Sequence, residues 1–313
     1  KKVVPPGREV KGLRRLEFQS VAFEKSSCIG ASWLALSWIW NLCGKCLVKL
    51  SDQQIKQLNH QGYLVLPERF SVDEVEVIKS RLPSLFTEEH PANIVEQSSK
   101  VVRTSMGLHL RDEVFSKLVR HPRLIDMAQQ IYAEPLYVQQ VKVNVKAAFS
   151  GEIWQWHYDF ATHRGEDGVE KPLALNLHIF LDDVSEFNGP LFFIPQSHKY
   201  GEHETALDIQ TTSYPLWTVG EDVVSELTKQ HGMVSATGKK GTALIFFDNL
   251  VHGSPNNMSP WDRSIFSLIV NPVSNALRRP TRPDFKHHQD LTPIETLADN
   301  CLLQVEFVYL DAV

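Results

Sequence analysis

Three hydrophobic patterns follow one another along the chain, and each predicts different structure. Lys25 and Lys45 bracket a stretch without charge, Ser26 to Gly44, in which Trp33, Trp38 and Trp40 stand among several Leu, Ile and Ala. The stretch is just long enough to cross a bilayer, although Ser26, Ser27, Ser32, Ser37 and Asn41 interrupt it. A membrane anchor, a poorly ordered or wrongly translated extension, and a helix packed on the body all fit such a segment. The chain starts at Lys1, so its natural start is left open. Near Leu50 the pattern becomes that of a folded body. The reading is therefore an N-terminal extension over residues 1–49 and one domain over residues 50–313.

The first part of the body is helical. Ser51 to His60 reads as a short helix, and the apolar run Gly62 to Leu66 as a strand. Ser71-Val72-Asp73-Glu74 is a capping box, and behind it Val75, Ile78, Leu82 and Leu85 recur at helical spacing. Glu88 to Lys100 is polar and aperiodic, which predicts a mobile loop. Pro122 to Ala133 is a second amphipathic helix with proline in its first turn.

The period then changes to two. Leu136 to Val145 alternates, with Tyr137, Gln139, Val141, Val143 and Val145 expected on one face. Leu173–Leu181, Leu191–Ile194, Thr242–Phe247 and Ile265–Val270 are further strands, punctuated by Gly and Pro. Helices first and strands afterwards, without βαβ alternation, predict an α+β chain. Its β part is best accommodated by a two-sheet jelly roll, cupin-like, with flanking helices.

Composition narrows the function classes. Lys and Arg number 32 against 37 Asp and Glu, a formal net charge of −5, which removes the electrostatic reason to expect nucleic acid or an anionic membrane as partner. Three of the four cysteines, Cys28, Cys43 and Cys46, lie in the first fifty residues, so no disulfide framework exists and a reducing, cytoplasmic setting is expected. Cys43 and Cys46 have the spacing of a metal or redox pair, but lack further ligands or a βαβ setting and read as unpaired thiols.

The chemistry concentrates in Trp154-Gln155-Trp156-His157-Tyr158-Asp159-Phe160. Residues i and i+2 of an extended strand project to the same side, so His157 and Asp159 can reach one metal. His252, just after the strand ending at Phe247, is a candidate third ligand. Two histidines and a carboxylate, with open positions opposite, form the facial triad of Fe(II) oxygenases. A His-x-Asp pair by itself is more often a hydrogen-bonded surface pair, and thirteen histidines make a third one easy to find. Arg263 strengthens the metal reading. It opens the last strand eleven residues after His252, where a guanidinium can take the distal carboxylate of iron-chelated 2-oxoglutarate bidentately. Ser254 can add its hydroxyl there. Lys146 and Asn144 are a second polar pair for the co-substrate, against the alternatives of a solvated edge lysine and a core amide. His178 and His198 read as structural histidines.

These residues resemble a known family. Gln140 to Lys146, Trp156 to Phe160, Glu166-Asp167-Gly168, Asn188 to His198, Ser235 to Gly238, His252 to Arg263 and Asn275 to Leu277 are similar, in order and spacing, to the phytanoyl-CoA dioxygenase superfamily of Fe(II)/2-oxoglutarate oxygenases. Within it the likeness, from about Leu50 to about Pro293, is greatest to bacterial proline trans-4-hydroxylases and ectoine hydroxylases. The resemblance implies a double-stranded β-helix and His157, Asp159 and His252 as iron ligands. It implies Arg263 and Ser254 on 2-oxoglutarate, assisted by Lys146 and Asn144, and Gln140, Thr162 and His163 on the substrate side. Retention of Asp159, small in halogenating members, implies hydroxylation. His163 replaces a tryptophan that stacks on substrate in the ectoine enzymes, and Ser267 replaces another aromatic.

The expectation is therefore a monomeric or homodimeric hydroxylase using Fe(2+), 2-oxoglutarate and O2 on a small amino-acid-like molecule. Ectoine or a secondary metabolite is the alternative substrate. A metal-binding jelly roll without turnover is the alternative of another class. Membrane association is expected only if residues 26–44 form an anchor.

Overall fold

In the computed structural model, residues 49–97 and 99–304 are described. The extension up to residue 48, with the apolar stretch 26–44 and Cys28, Cys43 and Cys46, lies outside them. Among the described residues, no helix is long and apolar enough to cross a membrane.

The chain runs α1 (Asp52–Gln61), β1 (Tyr63–Leu66), α2 (Val72–Ser80), α3 (Leu82–Thr87), β2 (Asn93–Val95), β3 (Val102–Met106), α4 (Glu113–Leu118) and α5 (Pro122–Tyr132). It continues through β4 (Leu136–Lys146), β5 (Trp154–His157), α6 (Asp159–Asp167), β6 (Leu175–Phe180), β7 (Leu191–Phe193), β8 (Thr205–Asp208) and β9 (Leu216–Val219). Last come α7 (Glu221–His231), β10 (Val234–Ala236), β11 (Ala243–Phe247), β12 (His252–Ser254) and β13 (Arg263–Pro272). The strands form two sheets, ordered β1-β11-β6-β13-β4-β3-β2 and β10-β7-β12-β5-β9-β8. Every strand pairing is antiparallel.

The predicted capping box forms: Ser71 Oγ accepts from Glu74 N, and Glu74 Oε2 accepts from Ser71 N. Ser51 and Gln54 make a second one at α1. Val75, Ile78, Leu82 and Leu85 are buried, but a break at Arg81 divides them between two helices, with Pro83 in the first turn of the second. They pack with α4 and α5 on one face of the larger sheet. Alternation supplies that face: Val141, Val143 and Val145 of β4, Leu175, Leu177 and Ile179 of β6, and Phe266 and Leu268 of β13 share this core. The intervening residues, Gln140, Lys142, Asn144, Asn176, His178 and Arg263, line a pocket on the other face.

Two expectations need correction. Glu88–Lys100 is not wholly a loop, because β2 is the outermost strand of the larger sheet. Apolar periodicity missed it because polar bonds anchor it. Asn93 Oδ1 accepts from Ser105 Oγ at 2.6 Å, and buried Glu96 pairs with Arg103 at 3.0 Å. β4 does not keep one alternation either. Ile269 pairs with Gln140 but Val270 pairs with Val138, leaving Gln139 as the extra residue of a β-bulge. Leu136 and Val138 thereby join Val141 and Val143 in the core, and the face expected for Tyr137 and Gln139 is reversed. The polar helix α7, with only Leu227 fully buried, was also not anticipated.

Residues 279–290, beyond β13, return to the end of α6. Arg282 donates Nε to Asp167 Oδ1 at 2.9 Å and Nη2 to Oδ2 at 2.5 Å, and His287 Nδ1 lies 2.6 Å from Oδ2. Burial opposes ionisation of Asp167, but His287 and Arg282 together hold its pKa at about 2. A carboxyl with a depressed folded pKa stabilises the fold above its unfolded value, near 3.9, and this contribution disappears as pH falls through about 2. Chemical denaturation should therefore show the wild type losing about 2 kcal/mol more than Asp167→Asn between about pH 5 and about pH 2. Parallel acid limbs for the two proteins would contradict this.

Candidate active site

β5 and β12 are neighbours, and their register sets His157 opposite His252. The two ring centroids are 4.1 Å apart. Each Nδ1 lies beside a carbonyl two residues earlier, at 2.6 Å from Gln155 O for His157 and 2.9 Å from Leu250 O for His252. A proton held on Nδ1 by a carbonyl leaves the Nε2 lone pair free. Both Nε2 atoms face Asp159, at 3.9 Å from Oδ1 and 4.0 Å from Oδ2.

Asp159 is not on a strand, as the spacing argument supposed; it is the first residue of α6. Tyr158 before it is extended, with φ −134° and ψ 139°, so the i and i+2 side chains still share a side. Asn176 Nδ2 donates to Asp159 Oδ2 at 3.0 Å and orients the carboxylate. One donor atom from each of His157, Asp159 and His252 lies within 4.8 Å of the others. Two imidazole nitrogens and a carboxylate fit an iron ion of the facial-triad type. Burial and the neighbouring imidazole push the His157 pKa down to about 3, and burial lowers that of His252, so both rings stay neutral and able to ligate. Burial works against ionised Asp159, but the Lys142 ammonium and the two imidazoles hold its pKa below the usual range.

Arg263 lines the same pocket. Its Nε and Nη2 donate to Gly189 O at 3.0 and 2.6 Å, and Nη2 also donates to Ser254 Oγ at 3.0 Å. Ser254 Oγ in turn donates to Gly189 O at 3.0 Å. Gly189 has to be glycine: φ is 76°, and a Cβ would stand 2.5 Å from Lys146 Cδ and 2.9 Å from Pro255 O. All these acceptors are neutral. Among the described residues no carboxylate is within ion-pair distance of Arg263, and burial lowers its pKa to about 9. A buried guanidinium in that state lacks the counter-charge that would offset its burial.

The structure brings most of the predicted residues to this pocket: His157, Asp159, His252, Arg263, Ser254, Asn144, Gln140, Thr162 and His163 all line it. Lys146 does not. It is neither a solvated edge lysine nor a pocket residue; its buried ammonium donates to the backbone carbonyls of Glu152 and Pro255. His163 is not solvent-facing: it is buried on α6 with Nδ1 2.9 Å from Asp248 Oδ1. Burial disfavours its charged form, but the Asp248 carboxylate outweighs this and raises its pKa. His178 and His198 are hydrogen-bonded, to Ser267 Oγ at 2.8 Å and Asn59 O at 3.2 Å, and His178 also touches the pocket.

Sequence reasoning missed Lys142, Asn176, Trp154, Tyr214 and Arg282 of the pocket wall. Lys142 was accessible, since it stands midway between Gln140 and Asn144 on one alternation. It makes no hydrogen bond or ion pair among the described residues, and burial lowers its pKa although Asp159 opposes the shift. Tyr214 and Arg282 come from irregular segments and carry no periodic signal.

The chain is 37% identical over 255 residues to an L-proline trans-4-hydroxylase of Streptomyces griseoviridis, covering 78% of this chain and 95% of that one. It is 33% identical over 241 residues to an ectoine dioxygenase of Sphingopyxis alaskensis, covering 74% and 79%. EctD from S. alaskensis has a similar structure at 30% identity. The TM-score is 0.70 to the form with bound Fe, covering 79% of this chain and 87% of that one. It is 0.67 to the form with 2-oxoglutarate and 5-hydroxyectoine, covering 80% and 86%. The phytanoyl-CoA dioxygenase (PhyH) family model matches residues 58–265, a range that includes His157, Asp159, His252 and Arg263, and the chain belongs to that family.

Proposed function

We propose that the chain hydroxylates a small free amino acid or imino acid, with proline as the model. It is an iron- and 2-oxoglutarate-dependent dioxygenase. When bound, iron and 2-oxoglutarate supply oxygen activation and oxidative decarboxylation to succinate and CO2; the protein contributes orientation and charge. His157, Asp159 and His252 hold the metal, with the two Nδ1–carbonyl contacts fixing which nitrogen binds. Arg263, oriented by Gly189 O and Ser254, takes the distal carboxylate of 2-oxoglutarate. Asn144 lines the wall beside it. The winding of β4–β7 and of β10–β13 between two antiparallel sheets supports a double-stranded β-helix, a cupin-like jelly roll.

The observation that carries the substrate class is Lys142. It is a second cation in the same pocket as Arg263, half-buried and without a carboxylate partner among the described residues. If Arg263 serves the co-substrate, Lys142 is available for a substrate carboxylate. Gln140, Thr162 and His163 add polar contacts on that side. Gln140 Nε2 donates to Lys286 O at 2.7 Å, which holds its amide in place.

The likeness to EctD supports ectoine, also a carboxylate, as the second reading. Against it, His163 is paired with Asp248 and Ser267 with His178, so neither supplies the aromatic wall of the ectoine enzymes. Lost stacking costs about 0.5–2 kcal/mol for each such contact.

A panel of free amino acids and ectoine, scored by succinate release and the mass gain of one oxygen atom, tests the substrate. A proline-like compound should exceed ectoine; the reverse order would overturn the amino-acid reading. Absence of succinate formation that depends on iron and oxygen would leave only a binding module.

His252→Ala should abolish stoichiometric iron binding while circular dichroism stays native. Retained iron and turnover would remove His252 from the ligand set. Arg263→Lys should raise the KM for 2-oxoglutarate by about tenfold or more, because one ammonium cannot reproduce a bidentate charged hydrogen bond. An unchanged KM would make the arginine structural.

A further inference from the structure

Trp154 and Tyr214 reach the pocket from different segments, and their rings meet with centroids 5.5 Å apart at 56°. Each ring also has a cation near it. The Arg103 guanidinium lies 3.9 Å from the Trp154 ring centroid, and Lys286 Nζ lies 5.6 Å from that of Tyr214. Arg103 is itself fixed by Glu96 at 3.0 Å and by Ile153 O at 2.6 Å. The Tyr214 backbone is fixed too, since its carbonyl accepts from Thr212 Oγ1 at 3.0 Å. β9, which begins two residues later, is tied to α6 by Trp217 Nε1 and Glu166 Oε1 at 3.3 Å. With its two cations the aromatic pair is thus a held surface assembled from four separate regions of the chain.

The Tyr214 hydroxyl makes no hydrogen bond among the described residues. Burial raises its pKa, which keeps it a neutral donor, and Arg282 acts on it electrostatically from the same pocket. A phenol with a free O–H offers an anionic oxygen one donor. Its ring, backed by Trp154, offers an apolar face to aliphatic CH groups.

We propose that Tyr214 is a specificity-determining residue: its hydroxyl donates to the substrate carboxylate, and its ring with Trp154 is the wall on which the substrate's carbon skeleton packs. This rests on the amino-acid reading above and adds the element that selects among such substrates. It also accounts for a pocket that recognises a small ring without an aromatic at His163 or Ser267.

Tyr214→Phe and Tyr214→Leu separate hydroxyl from ring. Tyr214→Phe should weaken substrate binding about tenfold, the loss expected for one hydrogen bond to a charged group, measured by calorimetry in oxygen-free solution. KM for 2-oxoglutarate and iron stoichiometry should stay unchanged. Tyr214→Leu should in addition lower the ratio of hydroxylated product to succinate and flatten the preference across the panel. Substrate affinity, product-to-succinate ratio and preference all within twofold of wild type in both variants would overturn the proposal. A parallel rise in the KM for 2-oxoglutarate would also overturn it, since it would mark a general loss of pocket structure. If the wild type binds ectoine rather than an amino acid, the amino-acid reading falls and the same variants test Tyr214 on ectoine.

Discussion

The site depends on one pairing register. β5 and β12 are short, three or four residues each, and His157 faces His252 across them. A shift of one residue in a strand turns every side chain to the other face. Here it would send one imidazole into the sheet's far side and leave Asp159 with a single partner. The rest of the centre elaborates this pairing. Backbone carbonyls two residues back set each imidazole's tautomer, and the extended Tyr158 delivers Asp159 from the first turn of α6.

Around the triad, buried charge is deliberately left without full compensation. Burying a cation is costly unless an anion accompanies it. Arg282 has Asp167, and Arg103 has Glu96, so those two are part of the fold. Among the described residues Arg263 has only neutral acceptors, and Lys142 has no hydrogen-bond or ion-pair partner. The distinction sorts the basic residues of the interior into structural ones and those whose partner arrives from solution. Lys146 differs from both: its ammonium also has neutral acceptors, the Glu152 and Pro255 carbonyls, but it does not line the pocket.

Much of this was legible in the sequence where a local rule governs. The capping box at Ser71, the helix at Pro122 and five strands of the larger sheet, β1, β4, β6, β11 and β13, follow from spacing. His157 and Asp159 were placed together by the two-residue rule even though the aspartate belongs to a helix. Failures occurred where polar contacts replace apolar pattern. β2 is held by Asn93 and Glu96, and β4 changes face at Gln139. Lys142 was overlooked although it stands between two residues that were chosen. Tyr214 and Arg282 were out of reach for a different reason: only the fold brings their irregular segments over the pocket.

The bulge at Gln139 has a further bearing on how this strand can change. Residues before it pack on the helices through Leu136 and Val138, and residues after it present Gln140, Lys142 and Asn144 to the pocket. One unpaired residue lies between the two stretches and absorbs their difference in phase. β4 therefore behaves as two rulers joined by a slip joint. Helical layer and reactive layer are indexed separately along one continuous strand, and the segment that reads the substrate can be varied without re-phasing the segment that anchors the fold.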